Sequence, residues 1–221
     1  MAHVKLVSYT SSCISGVESL SDIIAYCARV SNPGNQTNTA TSERLIDYLI
    51  KHRHWSPLEM VNVCLEVQTT RDIARQLLRH RSFTFQEFSM RYADPVKELD
   101  FSPPREARLQ DTANRQNSLS IDDPILQQEW AEKQQGMIEC AREAYQWAIS
   151  RGIAKEQARA VLPEGLIMSR LYVNGTLRSW LHYVELRSGP ETQKEHRELA
   201  LLCAKELESI FPVPKIEPKV D

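Results

Sequence analysis

The most regular pattern of hydrophobic and polar residues lies at positions 60–69. Apolar side chains at Val61, Val63, Leu65 and Val67 alternate there with Asn62, Cys64, Glu66 and Gln68. A period of two predicts a β-strand that buries one of its faces. Weaker patterns predict two further strands, at residues 3–9 and 166–173.

Helical spacing of apolar residues dominates the remaining patterned segments. Residues 42–53 are typical, because Leu45, Ile46, Leu49 and Ile50 fall on one stripe. The other predicted helices lie at residues 19–29, from residue 71 onward, at 123–152, at 176–187 and from 188 to 210. Capping residues at their starts, and Gly or Pro at several ends, support these limits.

Residues 95–123 lack such a pattern. Apolar residues are scarce there, and Pro103 and Pro104 oppose regular structure. We expect an irregular or mobile excursion rather than a separate domain, and a role as a lid remains open.

The order of the predicted elements indicates the fold class. Strands and helices are mixed without the regular alternation of a doubly wound sheet, which favours an α+β fold. A length of 221 residues suits one compact domain over residues 1–221, although two domains are not excluded.

Composition narrows the class of protein. The formal net charge is -2, so the chain as a whole has no nucleic-acid-binding character. Five cysteines without a Cys-x-x-Cys pair suggest neither a disulfide framework nor a zinc site, and the cation between His52 and His54 argues against a metal there. No apolar run approaches the roughly 20 residues of a membrane span, and no signal-peptide pattern occurs, so we expect a cytoplasmic, or at least intracellular, protein.

Basic character is concentrated around Arg79-His80-Arg81, which is followed after seven residues by Ser89. Guanidinium groups bind phosphate oxygens in pairs and stack on flat rings, so this segment is suited to a planar anion such as a nucleotide. The preceding stretch repeats Arg at helical spacing, which predicts that Arg71, Arg75 and Arg79 share one face. For the arginine row alone, a solvated face paired with carboxylates is the more ordinary interpretation.

The same motif resembles the signature of the flavin-dependent thymidylate synthases. The family's longer pattern has Ser, Asn, Glu, Ser, Arg and Tyr after the triplet, and this chain has Thr84, Gln86, Glu87, Ser89, Arg91 and Tyr92. Weaker similarities occur at residues 28–31, 54–59, 159–163 and 174–187, in the family's order. The resemblance thus covers most of the chain apart from the polar middle stretch and the last residues.

This resemblance implies a fold and an activity. The fold is α+β with a central mixed or antiparallel sheet flanked by helices, in a homotetramer that builds each active site from several subunits. The reaction is reductive methylation of dUMP to dTMP, with methylene-tetrahydrofolate as carbon donor and NADPH as reductant through tightly bound FAD. No protein nucleophile is required, which agrees with the absence of an evident base beside any cysteine.

The resemblance also carries roles onto residues. For FAD it implies Ser31, His54, Ser56, Arg79, His80, Arg81, Glu87, Asn174 and His182. For dUMP it implies Gln76, Arg79, Glu87, Ser89, Arg91, Arg159 and Arg187. Arg187 is also the expected catalytic residue, because a guanidinium near the base carbonyls stabilises negative charge as the ring's fifth carbon becomes nucleophilic.

Several alternatives stay open. Glu87 could be a purely structural partner of an arginine, and His182 could be a surface residue. Ser89 has no accompanying triad, so we assign it to binding rather than attack. A related flavin enzyme that hydroxymethylates the pyrimidine, or that uses a cytosine nucleotide, would show its difference at Gln86 and Met90. A non-enzymatic nucleic-acid-binding protein is the third hypothesis, and its affinity would fall steeply with salt.

Overall fold

The computed structural model describes residues 2–211. Its main sheet has four strands, all paired antiparallel, in the order β1-β2-β6-β3. These strands are β1 (His3–Tyr9), β2 (Asn62–Thr70), β3 (Thr84–Glu87) and β6 (Met168–Thr176). A separate hairpin pairs β4 (Arg108–Gln110) with β5 (Ser118–Ser120). The α+β prediction is confirmed, and its sheet is antiparallel throughout rather than mixed.

Eight α-helices accompany the strands in the described residues. They are α1 (Leu20–Ala28), α2 (Ser42–Lys51), α3 (Arg71–Leu77), α4 (Pro95–Glu98), α5 (Pro124–Ser150), α6 (Lys155–Ala158), α7 (Leu177–Arg187) and α8 (Lys194–Glu208). The capping box that begins at Ser19 is present, with Ser19 and Asp22 bonding each other's backbone N–H groups. No helix within residues 2–211 combines the length and the apolar composition required to cross a bilayer.

One sequence-based expectation about α3 is wrong. The helix ends at Leu77, so Arg79 does not continue the face that carries Arg71 and Arg75. The chain turns instead, with the His80 N–H donating to the Leu77 carbonyl at 3.0 Å. This reversal allows β3 to return as an antiparallel neighbour of β6.

The larger hydrophobic core covers one face of the sheet. Val63, Leu65 and Val67 of β2 are completely buried against the helices, whereas Cys64 and Glu66 lie on the other face. Helices α1, α2, α3, α7 and α8 all contribute buried side chains to this core. Its centre includes Trp180, whose indole N–H donates to the Val63 carbonyl at 3.0 Å.

Residues 95–123 are mostly irregular, as predicted, but they are bonded to the rest of the protein. The Arg105 guanidinium binds Asp72 at the start of α3, with the closest N–O distance 2.7 Å. Gln134 of α5 accepts from the Arg105 backbone N–H at 2.9 Å and donates to its carbonyl at 2.8 Å. The excursion is therefore anchored to two helices.

Candidate active site

The triplet Arg79-His80-Arg81 lies in the turn between α3 and β3. Phe83, two residues later, is 5% exposed, and its ring packs against Trp180 with 4.5 Å between centroids. The ring also lies over Gly175 of β6, where an added Cβ would stand only 2.3 Å from a ring carbon. A glycine at 175 thus lets Phe83 fix the turn to the core.

His80 and Arg187 meet at the centre of this region. The Arg187 Nε donates to Nε2 of His80 at 3.0 Å. The imidazole is therefore an acceptor at Nε2, which requires the neutral ring with its proton on Nδ1. Burial and the adjacent Arg187 charge lower the pKa of His80 to about 4, so the ring is neutral near pH 7. Its Nδ1–H and the outer nitrogens of Arg187 are donors suited to carbonyl oxygens.

A buried polar network lies behind this pair. His196 of α8 is 0% exposed and contacts the Gln76 amide and the Tyr183 hydroxyl, each at 3.1 Å. The sequence pointed to Gln76 but not to Tyr183 or His196. A single histidine within an amphipathic helix gives no signal by itself, because its partner lies 120 positions away in the chain.

The C-terminal half of α7 borders a cavity of about 480 Å³. His182 and Arg187, which were predicted from separate roles, both line it, together with Leu186 and Gln116. The His182 ring packs edge-on against Trp55, with 4.5 Å between centroids. This contact brings α7 to the predicted flavin segment at residues 54–56. Burial first, and then the Arg178 charge, lower the pKa of His182.

A second cavity of about 380 Å³ lies beside α3 and the segment after α6. Arg71, Arg75 and Arg159 line it, and Arg75 forms a 2.5 Å ion pair with Glu164. The neighbouring Glu87 accepts from the Ser169 hydroxyl at 2.9 Å, and it lies 3.5 Å from Arg71. The structural interpretation of Glu87 therefore has direct support.

The predicted site residues thus fall into groups that one chain does not bring together. Gln76, His80, Arg187 and His182 belong to the first region. Glu87, Arg91 and Arg159 belong to the second, with Arg91 3.4 Å from Glu156. The remaining predicted positions are exposed and lie outside both cavities: Ser31, His54, Ser56, Arg79, Arg81, Ser89 and Asn174.

Comparison with known proteins identifies the family. The sequence model of the family described as "Thymidylate synthase complementing protein" matches residues 5–213. A protein of Paramecium bursaria Chlorella virus 1 named "Probable flavin-dependent thymidylate synthase" is 46% identical over 208 residues, which cover 94% of each chain. The chain belongs to the flavin-dependent thymidylate synthase family.

Further relatives agree with this assignment. A flavin-dependent thymidylate synthase of Synechocystis sp. is 45% identical over 190 residues, covering 86% of this chain and 85% of the relative. Among solved structures, a UMP/dUMP methylase, PolB from Streptomyces cacaoi, bound with 5-Br dUMP superposes with a TM-score of 0.79. It is 27% identical and covers 96% of this chain and 92% of its own. Enzymes of this family are methyltransferases, and their flavin dependence implies FAD.

The donor set of the first region fits a flavin nucleotide. Within residues 2–211, Arg79, Arg81 and Arg187 form no ion pair with a carboxylate. The Arg187 guanidinium beside a neutral imidazole, with the exposed Arg79 and Arg81 on either side of His80 in the turn, favours a ligand that carries negative charge and ring carbonyls. FAD has both, in its pyrophosphate and its isoalloxazine.

The neutral, buried histidines of this chain predict acid sensitivity. Burial, followed by the Arg187 and His80 charges, lowers the pKa of His196 from 6.5 to about 3. Between pH 6.5 and about 3, this histidine is protonated in the unfolded chain but not in the folded protein. The free energy of unfolding therefore falls as pH decreases, by about 1.4 kcal/mol per pH unit for one such group. His196→Asn, which cannot titrate, should flatten the stability curve between pH 6 and 4 in denaturant unfolding. An unchanged slope would contradict a neutral buried His196.

Proposed function

We propose that this protein methylates dUMP reductively to dTMP, with methylene-tetrahydrofolate as carbon donor and NADPH as reductant through bound FAD. The observation that carries this proposal is the contact between Arg187 and His80 beside the cavity that His182 also lines. It places the Arg187 guanidinium, which forms no ion pair within residues 2–211, where a pyrimidine carbonyl can accept from it in a cavity that Glu185 and Glu191 also line. Family membership supplies the reaction class.

We assign flavin binding to the triplet turn and to the two segments that meet at Trp55 and His182. The expected ligands are Ser31, His54, Ser56, Arg79, His80, Arg81, Glu87, Asn174 and His182. When bound, FAD supplies the redox chemistry that no protein side chain can perform. The arginines neutralise its phosphates, and the neutral imidazole of His80 donates to a ring acceptor.

We assign nucleotide binding to Gln76, Arg79, Glu87, Ser89, Arg91, Arg159 and Arg187. Arg187 acts on the base: it binds a carbonyl oxygen and stabilises the negative charge that develops there as the ring's fifth carbon becomes nucleophilic. His80 supports this role because the bond to its Nε2 fixes the direction of the guanidinium. Arg159, within its cavity, is suited to the phosphate.

Groups in two separate cavities can form one site if subunits combine. A homotetramer of single-domain chains, with each site shared between subunits, is therefore part of this proposal. Sedimentation of the purified protein should give four times the chain mass of 25.4 kDa. A monomer with full activity would contradict the shared site. The cytoplasmic location stays a prediction.

No protein thiol is needed in this reaction, and the cysteines agree with that. Cys203 is completely buried, and burial raises its pKa far above the ordinary value. Burial also raises the pKa of Cys64 on the open sheet face. A variant with all five cysteines replaced, Cys203 by Ala and the others by Ser, should keep methylation within about threefold once its folding is verified. Loss of activity in a folded, FAD-containing variant would require a thiol nucleophile.

A direct assay tests the function itself. Purified protein with FAD, NADPH and labelled methylene-tetrahydrofolate should convert dUMP to labelled dTMP, identified by mass spectrometry. UMP is a second candidate substrate, because the structural neighbour is named a UMP/dUMP methylase. Equal amounts of both nucleotides in one reaction give the preference directly. A hydroxymethylated product, or turnover of cytosine nucleotides alone, would replace the proposal with one of its alternatives.

A further inference from the structure

His196 occupies the first turn of α8, and both nitrogens of its buried ring have polar partners. Nδ1 lies 3.1 Å from Oε1 of Gln76, and Nε2 lies 3.1 Å from the Tyr183 hydroxyl. On its other side, the Gln76 amide nitrogen donates to Oε1 of Gln193 at 2.8 Å. The ring is thus one member of a chain of buried hydrogen bonds that reaches Gln76.

A carboxylate fixes the direction of every bond in this chain. Glu195 can only accept, so Gln193 must present its amide nitrogen to Glu195, at 2.9 Å, and its oxygen to Gln76. Gln76 then donates to Gln193 and presents its oxygen to His196. Nδ1 of His196 must carry the proton, which leaves Nε2 to accept from the Tyr183 hydroxyl.

Glu195, the first member of this hydrogen-bond chain, is itself held in place. Arg108 of the β4–β5 hairpin donates to the other oxygen of Glu195 at 2.6 Å. Burial raises the pKa of the Glu195 carboxyl, but the hydrogen bonds from Arg108 and Gln193 and the Arg108 charge outweigh it, so the pKa is lowered and the carboxyl stays ionised. The lowered pKa of His196, about 3, keeps its ring neutral through the working range of pH. The donor and acceptor directions of these hydrogen bonds therefore do not change near neutral pH.

Gln76 is the member of this hydrogen-bond chain that can contact a ligand. Its amide has two N–H groups and two acceptor positions on its oxygen. One N–H bonds to Gln193 and one acceptor position bonds to His196. The half-buried amide therefore keeps one N–H and one acceptor position for a ligand. Gln193 holds the amide nitrogen and His196 holds the amide oxygen, so without His196 only one of the two bonds that fix the amide remains.

We propose that His196 is a positioning residue for nucleotide binding: it holds the oxygen of the Gln76 amide, whose nitrogen Gln193 holds, so that the free N–H and oxygen face the pyrimidine nucleotide in one arrangement. This inference rests on the proposed function, because it takes Gln76 as a dUMP ligand. An apolar side chain could fill the same volume, but it would leave the amide oxygen without its partner and let the amide turn about its bond to Gln193.

Calorimetric titration of the FAD-loaded protein with dUMP tests the proposal. His196→Phe keeps the volume and removes both bonds, so we expect the Kd for dUMP to rise about tenfold, the upper range for one hydrogen bond. His196→Asn keeps an N–H donor at the δ position and should stay within about threefold of the unchanged protein. Flavin content should be the same in all three proteins.

A double-mutant cycle separates positioning from a general loss of structure. In a Gln76→Ala background, His196→Phe should have no further effect on the Kd for dUMP. Leu199→Ala is the matched control, because Leu199 is buried on the same helix and lies outside the hydrogen-bond chain. It should lower the thermal midpoint without changing the Kd. An equal effect of His196→Phe in both backgrounds, or no effect in either, overturns the proposal.

Nitrogen NMR of histidine-labelled protein gives a readout that needs no ligand and no variant. It should find His196 neutral at pH 7, protonated at Nδ1 and bare at Nε2. The opposite tautomer overturns the positioning role even if dUMP binds normally. If the tautomer is as expected but the unchanged protein does not bind dUMP, the proposed function fails and the inference fails with it.

Discussion

Arg187→Ala should lower the rate of dUMP methylation by about 10³-fold while FAD remains bound, as loss of a transition-state charge partner does elsewhere. The reason is that Arg187 has no carboxylate partner within residues 2–211, so its positive charge remains available for the nucleotide. Product formation under single-turnover conditions measures the chemical step, and flavin absorbance measures cofactor content.

Two comparisons interpret the loss in Arg187→Ala. Arg187→Lys keeps the positive charge but loses the paired N–H donors of the guanidinium. Its methylation rate should therefore lie between the rates of the unchanged protein and of Arg187→Ala. Arg44→Ala, at an exposed position of α2, should have full activity. The pKa of His80 should rise when Arg187 is removed, because that charge is one cause of its lowering. Loss of FAD from Arg187→Ala would make Arg187 a cofactor ligand instead of a catalytic residue.

The elements that the sequence predicted well are those with local signals. The strict alternation in β2, the capping box at Ser19 and the Pro124 start of α5 each depend on neighbouring residues only. Strand β3 was missed because four residues between Phe83 and Phe88 are too few for a period to be recognised. Its pairing with β6 depends on residues far away in the chain.

The site was predictable in its residue types but not in its pairing. Arg71, Arg75 and Arg79 are equivalent in the sequence, yet the structure pairs the first two with Glu164 and pairs Arg79 with no carboxylate in the described residues. Which guanidinium stays available is decided by the end of α3 at Leu77. The partnership of Gln76 with His196 joins two distant helices in the same way.

Gly175→Ala should destabilise the protein by about 3 kcal/mol, at the upper end of the cost of overpacking a core, and should weaken FAD binding. The new methyl group would stand 2.3 Å from the ring of Phe83, and that ring cannot retreat because it packs against Trp180. The strain must pass to the turn that carries the triplet Arg79-His80-Arg81. Denaturant unfolding and flavin content measure the two effects.

A glycine-to-alanine change at Gly136 provides the control for Gly175→Ala. Gly136 lies inside α5 with nothing within 4 Å of an added Cβ, so Gly136→Ala should stabilise the protein by about 0.5–1 kcal/mol. Adding Phe83→Ala to Gly175→Ala should cost less than the sum of the two single changes, because Phe83→Ala removes the ring that the new methyl group would clash with, and that methyl group fills part of the cavity left by the ring. Additive losses would mean that the contact between Phe83 and Gly175 does not hold the triplet turn against the core.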